Sequence, residues 1–183
     1  MAKDYLRYYF LEDYLFGEVR KNFKKRRFLL LDEFFCIIIW KSNRAKTAIK
    51  EKLLKFGNLN KVVKKLTGEI FYVRRREQKL ELLLKSWKFS LPMATAILTV
   101  LYPKEFTIYD VRVRGKVGIH KDFSGCKDQI KKYFDEFLPK VRKIGRGEDL
   151  RSKDRYLWGK SFYEDLIKFL KNPKQKVEKL IEK

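Results

Sequence analysis

The amino-acid sequence predicts an all-α protein in which residues 1–183 form a single compact multi-helix domain. Three observations support this prediction. Apolar residues recur at helical spacing in most segments of the chain. The segments between them are short and contain glycine or proline, and the chain has neither an internal repeat nor a low-complexity linker. A hydrophobic fraction of 45%, with 15% aromatic residues, is ample for a core at this length.

The first predicted helix covers residues 4–16, where aromatic residues and leucines repeat at helical spacing. We expect Gly17 to end it. Six basic residues follow within residues 20–27, and they form either a solvated loop or a patch that contacts phosphates. Asp32 can cap the next helix, which runs through the apolar segment 34–40. The three consecutive isoleucines in that segment leave a β-strand as an alternative.

A helical hairpin is predicted next. Ser42 or Asn43 can cap a helix over residues 44–56, and Gly57 is suited to end it. Because the chain turns within a few residues, this helix and the preceding one form the two arms of the hairpin.

Helical periodicity continues through residues 59–66 and 69–87. Pro92 stands where a helix accepts proline, in its first turn, and the helix that follows ends before Pro103. After the next loop, Asp110 can end an extended segment and open a short helix.

The C-terminal part of the chain is also predicted to be helical. Residues 124–143 and 149–171 have the pattern of two long helices, and residues 172–183 that of a charged terminal helix.

The charge balance predicts a polyanionic partner. The chain has 45 Lys and Arg residues against 23 Asp and Glu residues, a formal net charge of +22. Such a field favours nucleic acid, the commonest polyanion. A membrane surface ranks second, because the basic residues are spread along the chain rather than placed on one terminal amphipathic helix.

Neither a membrane span nor secretion is predicted. The longest apolar run, residues 34–40, is too short to cross a bilayer. The first ten residues carry an acid and tyrosines where a signal peptide has an apolar stretch. We therefore expect a cytoplasmic protein. Cys36 and Cys126 lie far apart without metal-ligand spacing, so neither a metal nor a cofactor is predicted.

One region resembles a known family of enzymes. The turn KFSL at 88–91 is followed by a small-residue helix, LPMATAIL, and by a proline-containing loop that ends in aspartate, YPKEFTIYD. This order is similar to the helix-hairpin-helix superfamily of DNA glycosylases, which contains endonuclease III and the 8-oxoguanine glycosylases. Residues 83–113 carry most of the resemblance. A looser similarity to uncharacterised prokaryotic members, through WKxxR at 40–44 and LRSKDRYLWGKSF at 150–162, extends it to residues 28–165.

The resemblance implies roles for particular residues. In the family the loop after the hairpin ends in the catalytic aspartate, which corresponds to Asp110, and the hairpin with its following helix holds the DNA backbone. The implied DNA-binding residues are Lys85, Lys88, Ser90 and Leu91 at the hairpin and Lys41, Asn43 and Arg44 at the earlier helix junction. For the basic members of this set, solvated surface is the alternative to phosphate contact.

Two positions depart from the family pattern. The family hairpin carries glycines that let backbone amides approach a phosphate, whereas residues 88–91 contain none. Members that also cut the strand have a lysine two residues before the position of Ala94, and this chain has Pro92 there. We therefore expect a monofunctional enzyme, unless Lys85 or Lys88 acts from the preceding turn.

The implied chemistry needs one carboxylate and a place for an extruded base. Cleavage of an N-glycosidic bond builds positive charge on the sugar, which an ionised aspartate stabilises while it orients water. The base must first leave the helical stack. The candidate stacking residues are Trp40, Trp87, Tyr109 and Phe89. The alternatives are that Asp110 caps a helix or pairs with Arg112 or Arg114, and that the tryptophans belong to the core.

The sequence thus predicts a monomeric DNA-binding protein that resembles base-excision-repair glycosylases, with double-stranded DNA as its partner. Two alternatives stay open. One is a non-catalytic binding module on the same fold, and the other is an RNA-binding protein, since positive charge does not separate the two nucleic acids.

Overall fold

A computed structural model describes residues 5–171 of the chain. Every regular element in this range is helical, and the range contains no β-strand. The all-α prediction is therefore confirmed, and the isoleucine-rich segment is helical rather than extended. Residues 172–183, for which the sequence predicts a charged helix, lie outside the described residues.

The N-terminal helical path is longer than predicted. It consists of α1 (Leu6–Tyr9), α2 (Leu11–Tyr14), a π-helical segment (Leu15–Val19) and α3 (Arg20–Arg26). The prediction that Gly17 ends a helix is wrong, because Leu15, Val19 and Phe23 continue one buried face through it. The path ends at Arg27, which adopts the left-handed conformation with φ of 68°. Most of the basic tract 20–27 is therefore helix, not loop.

The predicted helical hairpin is present with different caps. It comprises α4 (Leu31–Ser42), a 3₁₀ turn (Asn43–Ala45) and α5 (Lys46–Leu54), and α6 (Leu59–Tyr72) follows. The N-cap of α4 is Leu30 rather than Asp32, since the Glu33 carboxylate accepts a hydrogen bond from the Leu30 amide at 2.8 Å. Neither Ser42 nor Asn43 caps α5, because the 3₁₀ turn leads directly into it.

The predicted helix 69–87 is split. The helix α6 extends to Tyr72, and α7 (Arg76–Glu81) with a π-helical segment (Leu82–Ser86) begins after an extended step. The buried Lys79 explains the break, because its ammonium donates to the carbonyls of Ile70 and Val73 at the end of α6. A side chain of α7 thus satisfies carbonyls that the ending helix leaves without partners.

The centre of the core is α8 (Leu91–Leu101), which starts with Pro92 in its first turn and ends before Pro103, as predicted. All of its residues except Pro92 are buried, and it packs against α3, α4 and α7. Thr95 and Thr99 satisfy their buried hydroxyls on carbonyls of the preceding turn.

The remaining helices complete the bundle. They are α9 (Val111–Lys116), α10 (Gln129–Lys132), a π-helical segment (Tyr133–Phe137), α11 (Leu138–Ile144) and α12 (Leu150–Lys171). The helix predicted from residue 124 begins only at Gln129, while α12 matches its prediction. It packs along α9 and α11. Within residues 5–171, no helix is both long and apolar enough to cross a membrane.

Candidate active site

Asp110 caps α9, as one of the sequence interpretations predicted. Its Oδ1 accepts a hydrogen bond from the Arg112 amide at 2.9 Å. Its Oδ2 lies 2.5 Å from the Nζ of Lys41, at the end of α4. The side chains of Arg112 and Arg114 do not take this place, since they pair with Asp165 and Asp122.

The segment before Asp110 is held by buried hydrogen bonds. The Tyr109 amide donates to Oγ1 of Thr95 in α8 at 3.0 Å. The Tyr133 hydroxyl accepts from the Thr107 amide at 3.0 Å and donates to the Thr107 carbonyl at 2.6 Å. These bonds tie the loop to two core helices, so the carboxylate of Asp110 has a defined position.

A cavity of about 470 Å³ opens beside Asp110. This volume lies within the range of about 300 to 1,000 Å³ that is usual for small-molecule sites. Its lining combines three carboxylates, three cations, two tryptophans and an isoleucine. They are Glu12, Asp110, Asp154, Lys41, Arg151, Arg155, Trp40, Trp158 and Ile108.

Lys41 and Asp110 each keep 17% of their side chain exposed. The ion pair is thus largely sheltered, yet both groups line the cavity. The resemblance implied a DNA contact for Lys41, and in the structure its ammonium pairs with the candidate catalytic carboxylate. A ligand in the cavity would meet an amine and a carboxylate side by side.

Arg151 of α12 joins three parts of the cavity wall. Its guanidinium pairs with Asp154 one turn away and with Glu12 of α2 at 2.5 Å. It also lies over the rings of Phe16 and Trp40, at 5.2 and 5.3 Å from their centroids. This cation therefore fixes the ring of Trp40 against the N-terminal helical path.

Asp154 is a second carboxylate in the same wall. Only 2% of the residue is exposed, and burial raises the pKa of its carboxyl to about 6 against the opposing effect of Arg151. Because Asp110 also raises this pKa, the two carboxylates are electrostatically coupled.

The hairpin residues border a different cavity, of about 410 Å³. Lys88, Ser90 and Leu91 line it together with Lys52 of α5, whose ammonium donates to the Lys88 carbonyl at 2.6 Å. Lys88 and Ser90 are exposed, whereas Leu91 is buried. Lys85 points to solvent and pairs with Glu81 at 2.6 Å.

The earlier helix junction reaches the same second cavity. Ala45, which follows the exposed Arg44, lines it opposite the hairpin. Asn43 is also exposed, and its Oδ1 accepts from the Lys46 ammonium at 2.8 Å. Ala45 thus places the end of the earlier junction at the second cavity, whereas Asn43 and Arg44 do not line it and Lys41 faces Asp110 at the first cavity.

The four candidate stacking residues lie in different surroundings. Trp40 lines the cavity of Asp110. Trp87 is only 5% exposed, packs against Phe56 and donates its indole N–H to Glu69 at 2.9 Å. Tyr109 is buried between Phe123 and Phe137, and its hydroxyl accepts from the Phe123 amide. Core packing occupies the rings of Trp87 and Tyr109, as it does that of Phe89, which is also buried.

Sequence reasoning missed six residues of the cavity, namely Glu12, Ile108, Arg155, Arg151, Asp154 and Trp158. The last three have one available signal. They project from consecutive turns of the predicted helix 149–171 and put an arginine, an acid and a tryptophan on one stripe. Glu12 has no such signal, because its pairing with α12 spans 139 residues of sequence.

Comparison of the chain with protein-family models, with curated proteins and with solved structures finds no match. The geometry of the site is therefore the basis for assigning a function.

Proposed function

We propose that the protein is a DNA N-glycosylase in which Asp110 is the catalytic carboxylate. The observation that carries the proposal is the position of Asp110, a rigidly held and partly exposed carboxylate at a cavity with two tryptophans. An extruded base enters this cavity against Trp40, and Asp110 stabilises the positive charge that develops on the sugar.

The second cavity is the proposed grip on the DNA backbone. It joins the start of α8 to the hairpin and is lined by the half-buried Lys52 and the exposed Lys88. Amide groups at the start of a helix and nearby ammonium groups both favour a phosphate. Together with the net charge of +22, this surface supplies sequence-independent affinity for DNA.

Lys41 supports a second candidate activity, cleavage of the strand at an abasic site. Its Nζ lies 2.5 Å from the Asp110 carboxylate at the cavity. The free amine attacks C1′ of the ring-opened sugar, and the aldehyde oxygen leaves as water to give an imine. Loss of a proton from C2′ breaks the C3′–O bond and releases the 3′ phosphate. Lys41 of α4 would thus supply the amine that strand-cutting members of the family carry at the position of Pro92.

The first experiment tests base removal. Duplexes that carry a panel of damaged or mispaired bases are incubated with the protein, and alkali then converts each abasic site into a strand break. We expect breaks at one class of base with the wild type and with Asp149→Asn, and none with Asp110→Asn. Asp149 is the matched control, because its exposed carboxylate caps α12 through the Ser152 amide without lining the cavity.

A different pattern would favour the alternatives. Absence of breaks across the panel, with duplex binding intact, would favour the non-catalytic module. A preference for single-stranded RNA over every DNA tested would favour the RNA-binding protein.

The second experiment tests Lys41 without requiring base removal. A duplex with a preformed abasic site is incubated with the protein and borohydride, which reduces an imine to a stable amine. We expect a covalent complex with the wild type and with Lys46→Gln, an exposed lysine next to the same junction, and none with Lys41→Gln. An equal yield from Lys41→Gln would contradict this activity and leave base removal unaffected.

A further inference from the structure

Two aromatic rings of α12 lie parallel at the surface. The centroids of Trp158 and Phe162 are 5.7 Å apart, and their planes differ by 6°. The guanidinium of Arg112 lies over both, at 5.5 and 5.8 Å from the two centroids. In spite of this cover, 43% of Trp158 and 48% of Phe162 stay exposed. Trp158, Phe162 and Arg112 are called the aromatic platform.

The aromatic platform adjoins the cavity of Asp110. Trp158 belongs to both, since it also lines the cavity. Arg112 connects them a second time, because its backbone amide binds Asp110 while its side chain lies over the rings. A strand that places one nucleotide in the cavity therefore has the aromatic platform within reach of a neighbouring nucleotide.

The surroundings of the aromatic platform favour a nucleic-acid strand over an apolar partner. Arg112 of the platform and the nearby Lys116 and Lys160 supply three positive charges. Glu164 and Asp165, with which they pair, supply two negative charges. The pairs formed among them are at the surface, where ion pairs are weak and phosphate oxygens can compete for the cations. Exposed rings with an arginine over them are the arrangement that stacks unpaired bases.

We propose that the aromatic platform binds an unpaired nucleobase next to the nucleotide in the cavity, so that the protein acts on single-stranded or locally opened DNA. The inference rests on the proposed function, because it locates the strand by the cavity of Asp110. A base inside an intact duplex is already stacked on both faces, and only an unpaired base has a face free for these rings. We therefore expect the protein to bind DNA that has an unpaired or locally opened region more tightly than a continuous duplex.

The test compares binding of a labelled oligothymidylate of about twelve nucleotides, a usual size for single-strand sites, with binding of a duplex of the same length. Fluorescence anisotropy is measured in the Asp110→Asn variant so that no reaction occurs. We expect Phe162→Ala to weaken single-strand binding by about 5- to 100-fold, as for the loss of one stacked base, with duplex binding unchanged. Phe162→Tyr should restore the affinity, which excludes a general folding defect.

The matched control is Phe169→Ala, another exposed aromatic residue of α12, which should bind both ligands like the parent. Unchanged single-strand affinity in Phe162→Ala, or equal losses of affinity for both ligands, would contradict the proposed role of the aromatic platform. Because binding is measured without catalysis, base removal by the wild type is scored separately. If the wild type removes a base but single-strand binding does not depend on Phe162, only the role of the aromatic platform is contradicted. If binding depends on Phe162 but no base is removed, only the proposed enzymatic activity is contradicted.

Discussion

The two carboxylate oxygens of Asp110 have different partners, and this division lets one residue serve structure and chemistry. Oδ1 caps α9, and Oδ2 faces Lys41 at the cavity. An asparagine at this position keeps the capping acceptor and removes the charge. Asp110→Asn therefore keeps the cap of α9 and removes only the charge, including the ion pair with Lys41.

Asp154 gives the folded protein a specific pH dependence. Burial raises the pKa of its carboxyl to about 6, above its value in the unfolded chain. The folded state therefore holds this proton more tightly, so the stabilisation is complete at acidic pH and is lost as the pH rises through 6. From pH 4 to 7 we expect the free energy of unfolding of the wild type to fall by about 2 kcal/mol relative to Asp154→Asn.

Urea unfolding of both proteins at a series of pH values measures this difference. The comparison with Asp154→Asn removes the titration of the other carboxylates, which both proteins share. A difference that stays constant with pH, or one that favours the wild type as the pH rises, would contradict the assignment.

At the scale of elements, the turn between α7 and α8 carries a strained residue. Lys88 adopts φ of 54°, a left-handed conformation that costs a residue with a Cβ about 1 to 2 kcal/mol and costs glycine little. We expect Lys88→Gly to be more stable than Lys88→Ala by about 1 kcal/mol, while both lose the same exposed amine.

Thermal unfolding of the two variants measures the cost of the strain in stability. Their affinity for duplex DNA, compared with that of the wild type, measures the contribution of the Lys88 amine. Lys85→Ala is the control for charge, since Lys85 lies outside the second cavity. Equal melting temperatures for Lys88→Gly and Lys88→Ala would show that the turn relaxes without glycine. The turn between α7 and α8 thus contains one strained lysine.

The elements also show where sequence patterns succeed and where they fail. The boundaries of α8 and the cap of α9 follow from neighbouring residues, Pro92 and Asp110, and both were predicted. The glycine at 17 failed as a stop signal because burial of Leu15 and Val19 outweighs the local cost of glycine in a helix. The break before α7 depends on Lys79 reaching back to Ile70, which no local pattern reveals.

At the scale of the whole molecule, the candidate site is assembled from distant segments. Asp110 was predicted because its loop is a local motif, but its partner Lys41 is 69 residues away. Glu12 and Arg151 meet only when the N-terminal helical path packs on α12. The sequence also did not separate Trp87 from Trp40, since both rings have the same apolar body and only the packed fold buries one of them.

The most direct test of the account is whether free base is released by the Asp110 carboxylate. A single turnover is run with protein in excess over DNA, and the small-molecule fraction is analysed by mass spectrometry. This detects the released base regardless of how tightly each variant binds DNA. The account predicts one free base from the wild type and from Asp149→Asn, and none from Asp110→Asn. Release that is unchanged in Asp110→Asn, or no release by the wild type from any damaged, mispaired or unpaired base, would contradict it.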